Sequence, residues 1–335
     1  MSRRRDPVEE RAGDSLDLYD IATWERRGPL DAVASALYRL LVASTRLFVV
    51  GVALLILVGI GGLSALTDPQ IGALTLLSAL PALALAVYVR RTDVTSGEPL
   101  SILVATFLLG VLTANFAAVL NSVTRPGFSG LSFVGNVLFF FLIVGPIEET
   151  VKLLAVRLYA YGTDHFEAVV DGAVYGAVAG LGFATIENAL YITQNLDAPM
   201  ASGLGLIGAG GGITAIRALA GPGHVIYSAF AGYYLGLAKF NRENRGPIII
   251  KGLLIAALIH ATYNTTVGLG SAAVSIATGL SQLPSFLVYV LIYDGVFGLI
   301  LFRKIRRYSR TYSEVHEDEE VEESAIEPEM TEFES

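Results

Sequence analysis

The 335-residue chain contains no cysteine. That excludes disulfides and thiolate metal ligands, so any metal would rest on histidine and carboxylate. Lysine is scarce, with Lys152, Lys239, Lys251 and Lys304 making up the whole set, and there are only 4 histidines. No His-Glu-x-x-His run, no Gly-x-Ser-x-Gly elbow and no aspartyl pair in a glycine-rich setting occurs, so the familiar hydrolase signatures are missing. The first long apolar run starts near Leu47. That is too late for the charged and apolar regions of a signal peptide, and no cleavable one is expected. Acid is in excess, with a net charge of −8, but residues 311–335 hold eleven acids and no Lys or Arg, leaving about +3 on the rest.

What is present is apolar residue, 53% of the chain, with a mean hydropathy of +0.58. Soluble domains rarely reach that average, so the fold class expected is an all-α polytopic membrane helix bundle. Hydropathy and length predict about eight transmembrane helices, near 46–66, 71–89, 100–121, 132–159, 168–193, 221–239, 248–269 and 282–302. Before them, residues 1–45 form a polar region in which Pro29 to Ala43 has the spacing of an amphipathic helix. After them, 303–335 reads as an acidic, disordered tail. The fourth span carries Gly145-Pro146, where a kink or break is expected. The glycine-rich stretch 200–220 reads as an external loop with a short or re-entrant helix.

Arg90-Arg91, Arg157, the Lys239–Lys251 cluster and the Arg303–Arg310 run fall on one side of this arrangement. The positive-inside rule puts that side, and both termini, in the cytoplasm of a multi-pass cell-membrane protein. The partners expected are the lipid bilayer and a membrane-anchored protein, and no nucleic acid.

Charge at bilayer depth costs roughly 2.5–3.5 kcal/mol per residue on insertion scales, so polar residues inside spans mark the candidate site. Glu148 and Glu149 sit in the fourth span with Lys152 at i+4 and i+3. The lysine can pair with one acid, leaving the other available as a general base. Glu187 and Asn188 lie in the fifth span, His224 opens the sixth, and His260 with Asn264 one turn on lies in the seventh. Gly232 and Gly236, four apart, mark a close helix approach. Two histidines with a carboxylate from Glu187 or Glu149 can hold Zn²⁺ with an open fourth position, while a remaining glutamate activates water to attack an amide. A metal-free version keeps Glu148 as the base and uses Asn264 with a histidine as an oxyanion hole. Buried Glu, Lys and His also make proton relays, so an ion-coupled transporter is the alternative, and a non-catalytic immunity-type protein is a third.

These residues resemble a known family. Glu148-Glu149-Thr150-Val151-Lys152 resembles its paired-glutamate motif, and Phe183 to Asn188 its Phe-x-x-x-Glu-Asn motif. His224 with Ser228 and Gly232-Tyr233-Tyr234-Leu235-Gly236, then His260 with Asn264, resemble the third and fourth. Their order on separate late spans, over about 130–270, resembles the PrsW family of intramembrane proteases. That family is related to the CAAX-processing and bacteriocin-immunity membrane proteases, which usually have a histidine where this chain has Glu187. The resemblance implies a metalloprotease that cuts a membrane-anchored protein near the outer face; in bacteria the known substrate type is an anti-sigma factor. It implies catalytic roles for Glu148, Glu149, Lys152, Asn188 and Asn264, and metal-ligand roles for Glu187, His224 and His260. Arg217 also fits the family pattern.

Overall fold

A computed structural model describes residues 17–19, 24–60, 62–93, 97–196 and 212–326. The chain divides into two compact units, residues 1–52 and 53–335. The first is dominated by the start of helix α1 (Pro29–Gly59). The Asp31 carboxylate closes that helix end, accepting from the backbone N–H of Gly28 at 2.6 Å and of Arg27 at 3.2 Å. The amphipathic stretch and the first span, expected as separate pieces, form this one helix. No proline or glycine interrupts the sequence between Leu30 and Val50, so nothing ends the first turns before the apolar run begins.

The second unit continues through α2 (Ser64–Thr67), α3 (Pro69–Arg91), α4 (Leu100–Thr124), α5 (Pro126–Ser129) and α6 (Ser132–Phe139). A π-helical turn, Phe140–Val144, leads into α7 (Gly145–Leu158). Then come α8 (Val169–Asn195), α9 (Ile213–Phe240), α10 (Arg245–Thr278) and α11 (Gln282–Ile326). Among the described residues, six helices are long and apolar enough to cross a membrane on their own: α1, α3, α4, α8, α10 and α11. The other two expected spans correspond to the segmented α6–α7 pass and to α9, both of which carry charged site residues.

The expected break at Gly145-Pro146 takes the form of the π turn. Pro146 has no N–H, and its ring crowds the carbonyl four residues back; the wider turn before it absorbs both problems. Gly145 also lets α10 approach, since a Cβ there would lie 2.7 Å from the Ala257 carbonyl oxygen. Two boundaries differ from expectation. The sixth helix starts at Ile213, so 213–220 belongs to α9; the rest of the glycine-rich stretch, 200–211, lies outside the described residues. The last helix continues beyond 302 to Ile326, so the basic run from Arg303 is helical, and residues 327–335 of the expected tail lie outside the described residues.

Helix α8 is the centre of the bundle and is buried almost throughout. It meets α9 along a seam of small residues, with Gly172, Gly176 and Gly180 facing Gly236, Gly232, Ser228 and the His224 backbone. Backbone packs on backbone there, as the four-residue spacing of Gly232 and Gly236 predicts. On its other side Gly182 lies against the Phe107 carbonyl and Gly110 of α4 against that of Ala179. A side chain at Gly176 would run into the backbone of α9. Gly176→Val is therefore expected to cost about 3 kcal/mol through overpacking, whereas Gly127→Ala, where a Cβ meets open space, is neutral. Thermal unfolding of the two variants in detergent measures the difference.

Candidate active site

The seam fixes where His224 sits along α9 against α8. With α9 starting at Ile213, His224 is eleven residues in, ~16 Å along the helix axis. It is buried, as are Glu148, Glu149, Lys152, Asn188 and His260. α7, α8, α9 and α10 bring Glu148, Glu187, His224 and His260 to the wall of one cavity of about 580 Å³, which Glu149, Lys152 and Asn188 do not line.

Lys152 is the hub. Its Nζ donates to Glu149 Oε1 at 2.7 Å and to His224 Nδ1 at 2.9 Å, and lies 4.3 Å from the centre of the Phe183 ring. An ammonium group only donates, so His224 Nδ1 accepts and its Nε2 carries the ring proton. That Nε2 faces Glu187 Oε2 at 2.9 Å. Glu149 Oε1 also takes His260 Nδ1 at 2.9 Å, and Ser228 Oγ donates to Glu149 Oε2 at 3.5 Å. A carboxylate only accepts, so His260 carries its proton on Nδ1 and turns a bare Nε2 lone pair towards the cavity.

Glu148 faces that lone pair. Its Oε1 accepts from Asn121 Nδ2 at 3.0 Å, and its Oε2 lies 3.7 Å from His260 Nε2. Glu148 Oε2 is buried and has no hydrogen-bond partner among the described residues. A desolvated carboxylate oxygen left open beside an imidazole lone pair can take a proton, hold a water or bind a cation.

The expected residues converge, but their partners sort them differently. Glu148, not Glu187, groups with His224 and His260, with one donor atom from each within 4.8 Å of the others. Glu187 is paired with Arg217, whose Nε also donates to Asn188 Oδ1 at 2.9 Å. Asn188 Nδ2 donates to Ser78 Oγ at 3.0 Å. The Asn188 amide is thus spent on holding Arg217 and α3, and it does not line the cavity as a substrate-orienting group would. Asn264 does line the cavity wall. Sequence reading missed Asn121, a lone amide near the end of an apolar span. It also missed Asp294 of α11, buried in the membrane-spanning bundle, which accepts from Tyr227 Oη at 3.0 Å. Tyr227 in turn packs on the His260 ring, 5.3 Å between centres. A buried acid in an apolar span was the available signal for Asp294.

The donor set of one carboxylate and two imidazoles suits a borderline divalent ion. The open Glu148 oxygen and the His260 lone pair fit one as they stand. The third donor, His224, has both ring nitrogens engaged by Lys152 and Glu187.

Residues 98–297 match the family described as PrsW family intramembrane metalloprotease. Protease PrsW of Bacillus subtilis (strain 168) is 30% identical over 229 residues, covering 68% of this chain and 92% of that protein. Protease PrsW of Shouchella clausii (strain KSM-K16) is 26% identical over 246 residues, covering 71% and 97%. Protease PrsW of Clostridioides difficile (strain 630) is 30% identical over 201 residues, covering 57% and 77%. No solved structure matches the chain. The matched stretch runs from just before α4 into α11 and takes in every residue around the cavity, and the chain belongs to the PrsW family of intramembrane metalloproteases, multi-pass membrane peptidases rather than transporters.

Proposed function

We propose that this chain hydrolyses a peptide bond of a membrane-anchored protein in the α7–α10 cavity, with Glu148 as the general base. The observation that carries the assignment is the buried, open Glu148 Oε2 beside the bare Nε2 of His260. Glu148 takes a proton from the attacking water as its oxygen bonds to the carbonyl carbon, then returns that proton to the departing amine nitrogen. Asn121 holds the Glu148 carboxylate in place while this happens. The Asn264 amide borders the cavity where the carbonyl oxygen gains charge, while His260, held by Glu149 through Nδ1, turns an acceptor nitrogen there and does not donate. Lys152 neutralises Glu149, and among the described residues no lysine or arginine pairs with Glu148.

Zn²⁺ would be held by Glu148, His224 and His260, and when bound it would polarise the scissile carbonyl as a Lewis acid, with Glu148 then serving as a ligand instead of as the free base. Glu187, paired with Arg217, then acts through His224 instead of as a ligand. The metal-free scheme stands as a second reading, because Lys152 lies 2.9 Å from His224 Nδ1 and a cation there disfavours a divalent ion on the same ring. Metal analysis of the purified protein separates the two. The zinc reading expects about one zinc per chain, falling to background in both His224→Ala and His260→Ala. Full cleavage by metal-stripped protein would overturn the zinc reading and leave the Glu148 assignment standing.

The orientation we propose has both termini in the cytoplasm and the cavity in the outer half of the bilayer. A regulatory single-span protein cut near its outer face, of the anti-sigma type, fits that placement. Kinship with the CAAX-processing and bacteriocin-immunity proteases rests on the paired glutamates and the two late histidines.

A further inference from the structure

Most charged side chains around the catalytic cavity face a partner of opposite sign. Arg217 and His224 both face Glu187, and His260 faces Glu148 and Glu149. Arg125 departs from that pattern. It ends α4, is exposed, and lines the same cavity as Glu148. No carboxylate among the described residues pairs with it.

An arginine at the end of an apolar helix commonly reaches outward to the membrane surface. Here the guanidinium is held by α6 instead. Its Nη2 donates to Asn136 Oδ1 at 2.9 Å, and its carbon lies 4.7 Å from the centre of the Phe139 ring. Phe139 is itself part of the cavity wall, so the cation is fixed at the cavity mouth. An arginine has five N–H donors and Asn136 takes one, which leaves enough to fork a carboxylate. A guanidinium already held in place loses less freedom when it takes a ligand.

The distance to the reaction follows from the helix. Asn121, which donates to Glu148 Oε1 at 3.0 Å, is one turn before Arg125 on α4, ~6 Å along the axis. An extended peptide advances about 3.3 Å per residue, so Arg125 is about two or three residues from a bond held at Glu148. An acid closer to that bond would meet the buried Glu148 carboxylate and be repelled. Arg217 offers no alternative, because it is committed to Glu187 and Asn188.

We propose, on the peptidase reading above, that Arg125 sets substrate specificity by receiving an acidic side chain, Asp or Glu, of the cleaved polypeptide. That residue lies about two or three positions from the scissile bond, towards the C-terminal end of α4. In the orientation proposed above this is the outer side.

The test uses the full chain in nonionic detergent and tagged single-span reporters. The reporters differ at one residue, Glu, Gln or Lys, moved stepwise outward from the cut bond. The kcat/KM ratio of Glu over Gln is expected to peak two or three positions out at about tenfold, the worth of one charge-assisted fork at an exposed site. It should fall towards one in Arg125→Gln and in high salt, and turn in favour of Lys in Arg125→Glu. An arginine that only anchors the helix to lipid or to α6 would change all three reporters in the same proportion. That result overturns the proposal, as does wild-type protein with no acid preference at any position, or a preference kept in Arg125→Gln. If Arg125→Glu fails to insert, Arg125→Lys takes its place and should keep most of the preference that Arg125→Gln loses. Binding of the Glu and Gln reporters to Glu148→Gln protein, with and without Arg125→Gln, reads the same preference without cleavage. Preferential binding without any cleavage by wild type would sink the peptidase reading and leave the acid subsite standing. Glu148-dependent cleavage blind to the acid would do the reverse.

Discussion

Glu148→Gln is expected to reduce cleavage of a tagged single-span reporter at least 10²- to 10⁴-fold, the range a lost general base costs. The substitution keeps the volume and lets a side-chain oxygen still accept from Asn121, so the helix that carries it has no reason to move. What it removes is a buried carboxylate oxygen at the cavity with no hydrogen-bond partner among the described residues. Losing a desolvated charge relieves strain, so thermal stability should hold or rise while activity falls. That combination distinguishes a lost base from a lost fold. A variant cutting within tenfold of the wild-type rate, inserted at normal level, would sink the Glu148 assignment.

Lys152→Met is expected to destabilise the protein by about 3–5 kcal/mol, the cost of removing one partner from a buried ion pair. Lys152 and Glu149 are both essentially inaccessible, so solvent does not screen the charge left behind. The same ammonium group holds His224 Nδ1 and rests on the Phe183 ring, and those contacts go with it. Glu149→Gln placed on top of Lys152→Met should recover a large part of the loss, because no unpaired carboxylate then remains. Unfolding of the wild type, both single variants and the double variant closes the cycle. A Lys152→Met protein within 1 kcal/mol of wild type would show that Glu149 draws its stabilisation from elsewhere.

Much of this site was legible because lipid makes polar residues expensive. Glu148, Glu149, Lys152, Glu187, His224 and His260 stand out against apolar neighbours, and the structure brings all of them to one place. The division of labour among them was not legible. Whether Glu148 or Glu187 joins the histidines depends on Arg217, and Arg217 reaches Glu187 only because α9 begins at Ile213. A glycine-rich approach masked that start. Asn188 looked like a group aimed at substrate, but the direction of a side chain on a fully buried helix is set by neighbours such as Ser78 of α3, 110 positions away. Asn121 and Asp294 escaped for the same reason, since each acquires meaning only from a residue on another helix. The fold was read in outline from hydropathy. Its boundaries followed the breakers instead, so α1 runs unbroken past the point where apolarity begins, and α11 runs on through its arginines.

The order of the site residues along the chain has a consequence for biogenesis. Glu149 and His260 are 111 positions apart, and Lys152 and His224 are 72 apart. At a synthesis rate of about 5–20 residues per second, the glutamate pair waits roughly 6–22 s for the histidine it needs. On the proposed assignment, a chain at that stage of synthesis lacks His260 and has no completed site. Lys152 is made within the same turn as Glu149, so the ion pair that lets the acid enter the membrane does not wait. The ion pair is complete first, and the proposed site is complete only with the seventh helical pass.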